Sequence, residues 1–120
     1  MPSKETLFKS RLHENDPSIA IIELGKFVLG GNEALEFVSK LEEFSKKDVK
    51  NIIVDLTNVE LMNSSGLGML VSGLRNLQKH NTKMKLSGVP PKVDNLLKMT
   101  HLDEVFDSYK DMDTAIKNCQ

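Results

Sequence analysis

Arginine and cysteine are scarce in this chain of 120 residues, and neither charge sign dominates. Only Arg11 and Arg75 are arginines, so bidentate phosphate clamps are few. Lys plus Arg is 16 and Asp plus Glu is 17, a formal net charge of −1. That balance argues against a nucleic-acid partner, which selects a basic excess or a basic stripe. The single cysteine, Cys119, cannot form an internal disulfide, so nothing marks an oxidising compartment. Apolar runs stop at about four residues (Ile19 to Ile22), far below the ~20 that span a bilayer. Met1 to Thr6 has no apolar signal core. The expectation is a cytoplasmic protein with no membrane contact.

What is present suits a soluble globular chain: 39% hydrophobic and 28% charged residues. No linker, repeat or low-complexity tract divides it, so one domain is read over residues 1–120. Leu7 to His13 alternates weakly, Glu14 to Ser18 is turn chemistry, and Ile19 to Leu24 is a compact apolar run. These predict a hairpin. Asn32 is read as an N-cap, followed by Ala34, Leu35, Phe37, Val38, Leu41 and Phe44 at helical spacing. Glu33 and Glu36 fall in its first turns and Lys46 and Lys47 in its last, matching the helix dipole.

Asn51 to Leu56 is apolar enough for a strand covered on both faces. Leu67, Leu70, Val71, Leu74 and Leu77 predict a second helix ending near His80 and Asn81. Lys83 to Val89 reads as a further strand. Pro91 opens a short helix carrying Val93, Leu96 and Leu97. Glu104 to Tyr109 is a last strand, and Asp111 caps a final helix with Met112, Ala115 and Ile116 inward. Strands alternating with helices imply right-handed crossovers and a mostly parallel sheet. The class is α/β, with about four helices and an antiparallel strand from the hairpin.

In such sheets, sites collect beyond the carboxyl ends of the parallel strands. Three loops fall there: Gly25 to Gly31, Thr57 to Asn63, and Gly88 to Pro91. The middle one opens directly into the second helix through Asn63-Ser64-Ser65-Gly66-Leu67-Gly68. Asn and Ser cap helices because their oxygens accept from unpaired N–H groups. Gly66 and Gly68 lack side chains, so another backbone can approach closely. Ser64 falls at the positive end of a helix dipole, where a phosphate is tolerated. The same residues also suit plain capping and packing, and the residues alone leave both readings open.

Competing chemistries have weaker support. Gly66-Leu-Gly68 lacks the third glycine of a dinucleotide fingerprint, since Val71 stands there. No phosphate loop and no Gly-x-Ser-x-Gly elbow occur. A serine nucleophile needs a base, and His80 falls about 24 Å along the helix that Ser64 starts. His13 and His101 read as surface or helix-end residues. The histidines are scattered and Cys119 is terminal, so no ligand set has metal spacing. Asp55, at a strand end, is read as a hydrogen-bond partner of the following loop. Met62 and Met69 suit either the core or an interface.

Asp55-Leu-Thr57 together with Asn63-Ser-Ser-Gly-Leu-Gly68 resembles the signature of the STAS domain (sulfate transporter and anti-sigma factor antagonist), and in particular its free-standing bacterial anti-sigma factor antagonists. The order of elements from Ile19 onward fits the same family. The resemblance implies a STAS-like mixed sheet and a binding protein without catalytic residues or cofactor. In that family the serine just before Ser-Gly is phosphorylated by a partner kinase that is itself the anti-sigma factor. That serine falls on Ser64. The resemblance thus implies a phosphorylation-controlled switch, with Met62, Asn63, Ser65, Gly66, Leu67, Gly68, Lys26 and Val28 in the partner contact.

A metal-dependent serine phosphatase would reset the switch, and ATP would belong to the kinase. Two departures stand out. Asn63 occupies a position where the family often has Asp, and Val28 one where an acid often follows Gly-x-Leu. A constitutive scaffold or ligand-sensing STAS module, with Ser64 only a helix cap, is the alternative.

Overall fold

The computed structural model describes residues 8–119. Strands β1 (Phe8–His13) and β2 (Asp16–Leu24) form the predicted antiparallel hairpin. Leu7, read as the first strand residue, lies outside the described residues. The turn is tighter than the sequence suggests, because β2 already begins at Asp16. The Asp16 carboxylate accepts from the Ser18 hydroxyl at 2.6 Å and from its N–H at 3.0 Å. Those bonds hold the carboxyl below its usual range.

The chain then runs through β3 (Phe27–Val28), α1 (Asn32–Ser45), β4 (Asn51–Asp55), β5 (Leu61–Met62), α2 (Ser64–Gln78), β6 (Lys83–Ser87), α3 (Pro91–Met99), β7 (Asp107–Tyr109) and α4 (Met112–Lys117). The main sheet has the order β1-β2-β4-β6-β7. Its pairs after the hairpin are all parallel, with Ile22 beside Val54 and Val54 beside Leu86. This is the mixed, mostly parallel α/β sheet that the pattern implies. A separate parallel pair, β3 with β5, was not foreseen, because two-residue strands leave no periodicity to read.

Period-two alternation sorts β4 between two layers. Ile52 and Val54 face α1, α2 and α3, joining Phe37, Leu41, Leu70, Leu77, Val93 and Leu97 in the main core. Ile53 points the other way, to a smaller cluster with Ile19, Ile21 and Ala115 of α4. That double burial explains the unbroken apolar run. The three crossovers, through α1, α2 and α3, step across the sheet in one direction, those through α1 and α2 between neighbouring strands β2, β4 and β6. Right-handed connections therefore set the two helices side by side, with their N-termini at the same end. They touch closely at Gly73, where a Cβ would come within 2.6 Å of Leu41 Cδ1 and 2.8 Å of Phe37 Cε2.

Several boundaries differ from the pattern. Asn32 is the first helical residue and makes no cap bond; Gly31 holds the cap position at φ 70°. The chain enters α1 through Gly30 and Gly31, both at positive φ, a path that glycine takes without strain. Lys46 is the C-cap of α1, so its last turn holds no basic residue. The last strand shrinks to Asp107–Tyr109, because the Val105 and Phe106 N–H groups donate back to the Leu102 carbonyl and close a turn. Strand β6 ends at Ser87, where Gly88 turns away at φ 65°. Asp111 caps α4 as read, accepting from the Thr114 N–H at 2.8 Å.

Candidate functional site

The three loops beyond the carboxyl ends of β2, β4 and β6 meet at one end of the sheet. Asp55 Oδ1 accepts from the Thr57 N–H at 3.0 Å and from its hydroxyl, which hooks the loop after β4 as expected. A Cβ at Gly88 would strike Thr57 Oγ1 at 2.3 Å, so the loop after β6 rests on that hook. The Lys26 carbonyl accepts from the Glu60 N–H at 2.8 Å and the Leu61 N–H at 3.0 Å, tying the first loop to the second. The Asn63 N–H donates to the Val28 carbonyl at 3.3 Å.

The start of α2 lies directly on β3. A Cβ at Gly66 would sit 2.0 Å from the Val28 carbonyl oxygen, so only glycine fits there without moving one backbone off the other. A Cβ at Gly30 would likewise meet Ser65 Cβ at 2.8 Å. The helix start is thus clamped by the loop before α1, and its position is fixed by backbone rather than by flexible side chains.

The N-cap of α2 is Asn63, whose Oδ1 accepts from the Gly66 N–H at 2.8 Å. Ser64 is therefore the first helical residue and not the cap. Its side chain is exposed, and no described residue bonds its hydroxyl. The first turn of α2 carries no acid of its own, which leaves the positive helix end unneutralised. Lys26 and Glu60 pair across β3 and β5 at 3.9 Å, both well exposed.

The sequence-predicted residues split into two layers. Lys26, Asn63, Ser64, Ser65 and Gly68 are exposed on one continuous surface. Val28, Met62, Gly66 and Leu67 are buried directly beneath it. Val28 is 0% exposed, so its side chain cannot touch a partner and instead supports the helix start. Met69 is core as well, at 1% exposure. Sequence reasoning missed Phe27, Leu29 and Leu61. Phe27 and Leu61 stand exposed on the small sheet, and Leu29, just past β3, is exposed as well. The alternation that buries Val28 and Met62 turns their neighbours outward, but two-residue strands hide that alternation.

Glu33 lies in the first turn of α1, as its reading as a dipole partner expects, but it is not at the surface. It is buried on the helix face that continues through Phe37 and Leu41, and its Oε1 has no hydrogen-bond partner. Burial pushes its carboxyl up, helped by nearby Glu36. The described residues hold no group of three or more His, Cys, Asp or Glu arranged for a metal. No described helix is long and apolar enough to cross a membrane.

Residues 13–115 match the model of the STAS domain. An anti-sigma-B factor antagonist of Staphylococcus aureus is 30% identical over 81 residues, covering 64% of this chain and 75% of its own. The solved structure of an anti-sigma-factor antagonist (STAS) domain protein from Planctomyces limnophilus superposes with a TM-score of 0.76 at 20% identity, over 92% of this chain and 96% of the other. The Bacillus cell fate determinant SpoIIAA in its phosphorylated form has a TM-score of 0.69 at 17% identity, over 93% and 100% of the two chains. With the fold, the loop hook and the glycine-seated helix start all in place, the chain belongs to the STAS domain family.

Proposed function

We propose that this chain is an anti-sigma factor antagonist that acts as a phosphorylation-controlled binding switch. Unmodified, the surface around Ser64 docks on an anti-sigma serine kinase and frees a sigma factor. Phosphorylated at Ser64, it lets the kinase go. The observation that carries this reading is the division of roles at the helix start: Asn63 carries the cap, and the Ser64 hydroxyl stands exposed and unengaged. A hydroxyl that is not needed for structure is available to an enzyme. The similarity to anti-sigma-B factor antagonists supports the partner class.

The energetics fit a switch without refolding. A phosphate adds about −1.5 to −2 charges. At the positive end of α2 it costs the free protein little. Within a contact where the partner offers no cation, it costs about 3–5 kcal/mol, by analogy with an unpaired buried charge. That weakens binding by roughly a hundredfold to a few thousandfold. Lys26, Asn63, Ser65 and Gly68 make the contact, while Val28, Met62, Gly66 and Leu67 hold the surface in shape. The chain works as one domain in the cytoplasm, without a cofactor or catalysis of its own. A metal-dependent phosphatase restores the hydroxyl. The alternative, a constitutive scaffold or ligand-sensing module, assigns Ser64 the cap, a role that Asn63 holds.

The test uses purified serine kinases of the anti-sigma class from the same genome, incubated with the protein and ATP. Mass spectrometry of the product should place one phosphate on Ser64. Ser64→Ala should bind the kinase constitutively and Ser64→Asp weakly. Equal affinity of the two variants would overturn the switch.

A further inference from the structure

The far end of α2 borders a cleft that the switch does not use. It holds about 260 Å³ and is lined by Leu74, Met84 and Val105, with Gln78, Lys83 and Asp107 around them. Leu74 and Gln78 stand about 15–21 Å along α2 from Ser64. Small-molecule sites fill roughly 300–1,000 Å³; this cleft is smaller and suits one protruding apolar side chain. Val105 is such a side chain on its own lip, 51% exposed. Its N–H donates to the Leu102 carbonyl at 3.0 Å, so a closed turn holds it there. The two walls carry opposite charge. Arg75 and Lys79, one helical turn apart, make one wall basic together with Lys83. Asp103 and Glu104, in the turn before Val105, make the other acidic. All five are exposed, and among the described residues none of them finds an ion-pair partner. Asp107 differs, since it already pairs with buried Lys85 at 3.9 Å.

We propose that this cleft is a self-pairing surface, on which a second copy of the chain docks about a two-fold axis. Charge complementarity selects the occupant. A partner of one charge sign gains at one wall and is repelled at the other. A second copy meets both walls correctly, because a two-fold contact repeats every pairing in reverse. It sets Arg75, Lys79 and Lys83 of each chain against Asp103 and Glu104 of the other. Val105 of each copy enters the other's cleft and meets Leu74 and Met84. The charged walls fix register and orientation, and the apolar centre excludes water. A net charge of −1 leaves little long-range repulsion between copies. The contact is made at the amino ends of β6 and β7, whereas Ser64 stands beyond the carboxyl end of β4. Each member of a pair therefore keeps its Ser64 exposed, and pairing does not depend on how Ser64 is used.

The test is sedimentation equilibrium of the parent protein over roughly 10 μM to 1 mM, the range of weak pairing. Its mass should rise from 13.5 kDa toward twice that value. Two charge-reversed proteins make the decisive comparison: Arg75→Glu with Lys79→Glu, and Asp103→Lys with Glu104→Lys. Each alone should pair about tenfold or more weakly than the parent, since like charges then face each other. Mixed one to one, the two should pair again, because the acidic walls of one face the basic walls of the other. Val105→Asp should weaken pairing as the single reversals do. Circular dichroism checks folding; Lys83→Glu replaces the first reversal, and Asp103→Lys alone the second, if either unfolds. A parent that stays at 13.5 kDa throughout overturns the proposal. Pairing that survives both reversals places the contact on another face and also overturns it. A mixture that stays monomeric does the same, and returns the cleft to a partner of different chemistry.

Discussion

At the scale of single residues, Asn63 and Ser64 do different work although they are neighbours with similar chemistry. Asn63→Ala removes the acceptor for the Gly66 N–H and should lower stability by about 1 kcal/mol. Ser64→Ala removes an exposed hydroxyl that bonds no described residue, and should stay within about 0.5 kcal/mol of the parent. Urea unfolding of the two variants side by side checks this; a larger loss at 64 than at 63 would reverse the assignment of the cap. Glu33 gives a second residue-level prediction. Its folded-state carboxyl titrates above the ordinary value because burial disfavours the charge. An acid raised in the folded state favours folding most below the unfolded value. That advantage is lost as pH rises through the folded value. Glu33→Gln should therefore melt at a higher temperature than the parent at pH 7, with the gap shrinking toward about pH 3. Thermal melts across that range would refute the effect if the two curves ran parallel.

At the scale of elements, the sequence revealed most where a segment is long enough to repeat its own period. The inward stripe of α2, through Leu67, Leu70 and Leu77, and the unbroken apolar run of β4 are legible because each extends over several turns or residues. The strands β3 and β5 escaped notice because two residues carry no period, and with them went the outward position of Phe27 and Leu61. The start of α1 was misread because Asn32 looks like a cap, while the glycines before it set the path of the chain. Gly73 was silent for the opposite reason: a glycine inside a helix shows nothing of the neighbour that comes close. Here that neighbour is α1, and Gly73→Val would press on Leu41 and Phe37. The loss should be about 1–3 kcal/mol, read by denaturant unfolding. An unchanged midpoint would mean that the two helices separate at little cost.

At the scale of the whole molecule, the two faces of the sheet are unequal. One carries three helices and the large core, and the other only the six-residue α4 over a small cluster. Lys85 is buried on the thinner side, with Asp107 at 3.9 Å and the Tyr109 ring 5.7 Å from its ammonium. Tyr109 is the only tyrosine and tryptophan is absent, so intrinsic fluorescence reports on this side while far-UV circular dichroism reports on all elements. The two sides share β2 and β4, and a domain of this size unfolds as one unit. The two signals should lose amplitude at the same denaturant concentration. Fluorescence falling first would mean that α4 opens independently of the main core. That Asn51 to Leu56 is covered on both faces was readable from its apolar run; the inequality of the layers was not, since it depends on which helix each crossover sets on which side.

The separation of cap from hydroxyl at the head of α2 also bears on inheritance. One nucleotide change at codon 64 exchanges an exposed side chain and leaves the scaffold intact, whereas at codon 66 anything larger than glycine meets the Val28 carbonyl. Exchange at the head of α2 is therefore uneven: open where the hydroxyl stands, closed where the backbone of β3 passes beneath.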